Sequence, residues 1–66
     1  MRISEFTQTE ADYLEAVCNF TPEETRLFQL RLKDRTLEDC AEIMNRSLDS
    51  VKQLSQKVNA KILREL

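Results

Sequence analysis

Apolar residues recur along this chain at three- and four-residue spacing, with no sustained alternation of the kind a strand would show. From residue 48 onward, Val51, Leu54, Val58 and Ile62 form one such stripe, and no Gly or Pro interrupts it. The pattern predicts a long amphipathic helix over residues 48–65. A shorter stripe, Leu37, Cys40, Ala41 and Met44, predicts a helix over 37–44, with Thr36 as its N-cap and Asp39 three residues later. Between the two, Asn45 tolerates the left-handed backbone that ends a helix, and Ser47 offers a fresh N-cap, so the turn is short.

Two further helices precede this pair. Thr21 caps, Pro22 occupies the first helical position where its missing N–H costs nothing, and Glu24 completes a capping box, giving a helix over 22–33. Leu27, Phe28, Leu30 and Leu32 place apolar groups on several of its sides, which suggests a central element packed against the first helix and the two that follow. Lys33-Asp34-Arg35 reads as a polar turn. For the first helix, about 8–18, Thr7 and Thr9 compete as N-caps, Thr7 with Glu10 forming a capping box. Its inner face is Ala11, Leu14, Val17 and Cys18, which leaves Tyr13 as a half-buried flank or an interface residue. Ile3 and Phe6 show no period, so residues 1–6 read as a flexible arm that packs loosely or orders against a partner.

Composition agrees with an all-α fold: a small four-helix domain with a helix-turn-helix at 36–65. The 66 residues make one domain, 1–66, with no Gly and a single Pro. A chain of this size buries only about 60% of its unfolded surface, so its stability is marginal. An early acidic residue and the lack of a long apolar run exclude a secretion signal and a membrane span, and favour a cytoplasmic protein. Cys18 and Cys40 fall on apolar faces and read as free buried thiols, with a disulfide between them the lesser alternative. With no His, neither a metal site nor a cofactor is expected. The paired carboxylates Glu23/Glu24 and Glu38/Asp39 sit in first turns of helices, where capping and the helix dipole account for them, and no nucleophile adjoins a base. No catalytic residue is assigned.

Charge is polarised along the chain. The formal net charge is −2, yet residues 46–66 carry +3 and residues 1–45 carry −5. This suits a basic DNA-facing helix on an acidic scaffold, and equally a surface that pairs with its own copy.

A short capped helix, a tight turn and a longer helix make a helix-turn-helix, whose second helix enters the major groove. The segment resembles region 4 of bacterial sigma factors and the related small regulators. The resemblance covers residues 20–66 and rests on Phe20-Thr21-Pro22-Glu23-Glu24, Thr36-Leu37-Glu38-Asp39 with Ala41, Ser47, Val51-Lys52-Gln53-Leu54 and Ala60-Lys61-Ile62. It implies promoter DNA as the partner and base readout concentrated at positions 48, 49, 52 and 53. Leu48 departs from the long basic side chain common there, but it can meet a thymine methyl.

With Val51 and Val58 turned inward, Asp49, Ser50, Lys52, Gln53, Gln56 and Lys57 turn outward. Gln53 can pair with an adenine edge, Lys52 with guanine, Asp49 with the cytosine amine, and Lys57 with phosphate. Arg35, Thr36, Arg46 and Ser47 are placed to hold the DNA backbone. The competing reading is a protein-interaction module that binds RNA polymerase or a sigma factor without reading DNA. A homodimer is expected, with Tyr13, Ile62, Leu63 and Leu66 as its interface; the alternative is that Ile62 and Leu66 fold back on the first helix.

Overall fold

A computed structural model describes residues 2–66, and Met1, the first residue of the expected arm, lies outside them. Four α-helices follow one another: α1 (Gln8–Val17), α2 (Pro22–Leu32), α3 (Leu37–Met44) and α4 (Leu48–Glu65). No strand occurs among the described residues, and the chain is a single-core, all-helical bundle.

Each helix begins where its polar cap directs. The Thr7 hydroxyl accepts a hydrogen bond from the Glu10 amide at 3.1 Å, and the Glu10 carboxylate accepts one from the Thr7 amide at 2.8 Å. Thr21 and Glu24 repeat this reciprocal box at 3.2 and 2.9 Å. Thr36 and Ser47 cap α3 and α4 by accepting from the Asp39 and Ser50 amides, each at 3.1 Å. Thr7, not Thr9, is the cap of α1.

Helix ends are set by left-handed residues, a role taken here by Asn19, Asp34 and Asn45 (φ 54°, 61° and 55°), in a chain without glycine. At two of these ends the next amide reaches back five residues, Arg35 to the Leu30 carbonyl and Arg46 to the Ala41 carbonyl, at 3.2 and 2.9 Å. Those bonds satisfy carbonyls that the helix leaves free. Cys18 and Lys33, expected inside helices, are the caps just beyond α1 and α2.

Helix α4, not α2, is the hub. It packs against α1, α2 and α3, because its buried stripe of Val51, Leu54, Val58 and Ile62 runs through most of its 18 residues. Leu27 and Phe28 of α2 are fully buried, with Phe28 against Phe20 at a ring separation of 5.2 Å, whereas Leu30 and Leu32 are half-buried. On α1, Ala11, Leu14 and Cys18 face the core, but Val17 sits at the rim with 36% of its surface exposed.

Residues 2–6 are not a loose arm. Ile3–Glu5 form a short 3-10 turn packed on α2, with Ile3 buried in the core and Phe6 packed against it. Two apolar residues without helical period are too few to signal this from sequence, and burial of their surface supplies the driving force. Cys18 and Cys40 are free and buried, and burial pushes both thiols up from their ordinary range.

Candidate nucleic-acid interface

Asn45, Arg46 and Ser47 connect α3 and α4 within three residues. The left-handed Asn45 and the extended Ser47 fix the direction in which α4 leaves the turn. From there the outer face of α4 presents Asp49, Lys52, Gln53, Gln56 and Lys57, all exposed, opposite the buried Val51, Leu54 and Val58. These five share one face with free hydrogen-bonding ends. Leu48 and Ser50 are half-buried beside them.

The residues expected to hold a backbone divide into two groups. Arg35, Thr36 and Ser47 are exposed. The two hydroxyls accept from amides within their caps, which leaves each O–H free to donate to an anion. Arg46 is not free. It forms an ion pair with Glu23 at the start of α2, and its Nε donates to the Ser50 hydroxyl at 2.9 Å. Two expected DNA contacts, Arg46 and Ser50, therefore bind each other across the turn. Long-range partners such as Glu23 leave no local signature.

A second ion pair has the same origin and a different environment. Lys61 Nζ reaches Glu24 Oε1 at 2.5 Å and the Asn19 carbonyl at 3.1 Å, tying the fourth turn of α4 to the corner between α1 and α2. The Glu24 residue is 3% exposed, although sequence reasoning assigned its carboxylate only a capping role. Burial raises its pKa, but the bonds from Lys61 and from Thr21 outweigh that and hold the carboxyl below its ordinary range. Lys61 is thus committed to the fold, and of the five basic groups in residues 46–66 only Lys52, Lys57 and Arg64 have no ion-pair partner among the described residues.

The expected interface residues also separate. Tyr13, Leu63 and Leu66 are exposed, at 55%, 60% and 73%, whereas Ile62 is completely buried and belongs to the core. Ile62 continues the 51–54–58 stripe, and that register turns it inward. Among the described residues no cluster of three His, Cys, Asp or Glu side chains is arranged to hold a metal ion, and no helix is long and apolar enough to cross a membrane. No family model, curated protein or solved structure matches this chain.

Proposed function

We propose that this protein is a sequence-specific DNA-binding transcription regulator that reads the major groove with the first half of α4. The observation that carries this reading is the exposed face of Asp49, Lys52, Gln53, Gln56 and Lys57 directly after a turn capped on both sides. A groove-reading helix needs side chains with free donors and acceptors on one face and a fixed exit angle. Resemblance to sigma factor region 4 supports the same assignment. Lys57 and the Thr36 and Ser47 hydroxyls supply phosphate contacts, while Gln53, Lys52 and Asp49 face base edges.

A second reading, a module that binds RNA polymerase or a sigma factor without reading DNA, is favoured by one local feature. Next to the turn, Glu23, Arg26, Ile43, Met44 and Arg46 line a cleft of about 490 Å³ in which Ile43 is 45% exposed. A protein partner can bury that side chain within the cleft.

Selection from a random duplex library, followed by affinity measurements across a salt series, separates the two. The DNA reading expects an enriched motif and an affinity that falls steeply with salt. No enrichment and no duplex affinity at low salt would reject it.

A further inference from the structure

The exposed line on α4 does not end with the first half of the helix. Asp49, Gln53, Lys57, Ala60 and Arg64 follow at intervals of four, four, three and four residues, which keeps them on one side of α4 to its last turn, and all are exposed. From Ser50 to Arg64 the helix contains no acidic residue, in a chain whose first 45 residues carry −5. Glu65 falls off the line, because one residue further is a rotation of about 100°. Arg64 has no ion-pair partner among the described residues, unlike Arg46 and Lys61.

Distance along the axis decides what the second half of this line meets. With Gln53 at a base edge, Ala60 and Arg64 lie about 10.5 and 16.5 Å further along α4 at 1.5 Å per residue. The major groove is about 12 Å wide and winds round the duplex, so a straight helix with Gln53 on the groove floor meets the sugar–phosphate wall by about Ala60. Two kinds of residue suit that wall. A cation neutralises a phosphate, and a side chain reduced to one methyl group lets a backbone approach the helix. Ala60 is such a residue, with Lys57 one turn before it and Arg64 one turn after.

We infer that Lys57, Ala60 and Arg64 seat the DNA backbone where α4 leaves the groove, with Ala60 the point of closest approach and Arg64 a second phosphate anchor far from the turn. The inference rests on the DNA-reading proposal and carries it from the first half of α4 to its last turn. A phosphate held here and others held at Thr36 and Ser47 bracket the reading residues at both ends. That fixes the tilt of α4 in the groove, and so the bases that Lys52 and Gln53 reach. A line of cations unbroken by acid is also what a polyanion requires of a chain with net negative charge.

Affinity across a salt series, for a selected duplex and a random one, tests the seat. Ala60 and Arg64 are exposed, so their substitution should leave helical circular dichroism unchanged. Arg64→Ala should weaken both duplexes about five- to tenfold at about 0.1 M salt and reduce the magnitude of the salt slope by about one, and Arg64→Lys should restore the slope. Ala60→Leu should weaken both at least about threefold, since it adds bulk at the point of closest approach. Replacing single phosphates of the selected duplex by neutral methylphosphonates should reveal a position at which Arg64→Ala causes no further loss. Absence of duplex affinity in the unaltered protein would overturn the DNA reading and the seat together. A salt slope unaltered by Arg64→Ala, or an affinity indifferent to Ala60→Leu, overturns the seat while the reading stands.

Discussion

Glu23 and Glu24 are neighbours in the first turn of α2, and each holds a cation: Glu23 holds Arg46 in the turn before α4, and Glu24 holds Lys61 near the far end of α4. The two pairs could hardly differ more in surroundings. Glu24 meets Lys61 with side-chain exposures of 4% and 26%, and the Asn19 carbonyl takes a further bond from the same ammonium. Glu23 meets Arg46 at 61% and 32%, within reach of solvent and of any arriving anion. The difference separates an anchor from a contact that can be exchanged. A buried pair cannot lose one partner without leaving the other uncompensated, whereas an open pair exchanges its partner for water or phosphate at little cost. The far end of α4 is therefore anchored, whereas at the capped end proposed to read DNA the Arg46 guanidinium can change its partner.

The sharpest way to break this comparison is to remove both carboxylates in turn. Glu24→Ala loses the capping box together with the Lys61 pair, and is expected to cost about 2–3 kcal/mol of stability by denaturant unfolding. Glu23→Ala should cost under about 1 kcal/mol. Equal losses would show that the two pairs do the same work. Acid sharpens the distinction. The folded-state pKa of Glu24 is lowered, so its contribution is fully present above the ordinary glutamate value of about 4.3 and is lost as pH falls through the folded-state value. Melting temperature should therefore drop at the acid end of a pH series, and Glu24→Gln should flatten that part of the profile. A profile unchanged by Glu24→Gln would remove the carboxylate from the acid response.

If the capped end of α4 reads DNA, its outer face divides by target. Gln53→Ala is expected to cost about 1–3 kcal/mol at a preferred site and to relax specificity there. Lys57→Ala should weaken all duplexes alike and reduce the magnitude of the salt slope by about one. Intact affinity in both variants would place the contact surface elsewhere and leave the exchangeable Glu23–Arg46 pair without its proposed role.

What sequence could and could not reveal follows the range of the interactions. The starts of α2, α3 and α4 were legible, and that of α1 to a choice between Thr7 and Thr9, because capping is a matter of three or four consecutive residues: Thr7 with Glu10, Thr21 with Glu24, Thr36 with Asp39, Ser47 with Ser50. The exposed face of α4 was legible from its period, since burial of Val51, Leu54 and Val58 forces Gln53 and Lys57 outward. Ile62 lay on that same stripe, and its assignment to an interface gave too little weight to the register. Pairings across 37 residues, such as Lys61 with Glu24, depend on how helices cross and leave no mark in local spacing. For the same reason Arg46 looked free, and Ile3 and Phe6 looked like an arm.

The smallest expected effect concerns Arg46 itself. Glu23→Gln keeps the size of the side chain and removes its charge, so stability should change by under about 0.5 kcal/mol, as for other open pairs. Arg46 then loses its ionic partner while keeping the Ser50 hydroxyl, and its guanidinium becomes more available to a phosphate. Duplex affinity should rise a few-fold at low salt, with a salt slope steeper by up to about one, because a phosphate contact no longer has to displace a carboxylate. The gain should be the same for preferred and random duplexes, since a phosphate contact carries no base information. Arg46→Ala in the same background should abolish it. An affinity and slope unaltered by Glu23→Gln would mean that Arg46 holds the turn and takes no part in binding, and the open pair would then be as structural as the buried one.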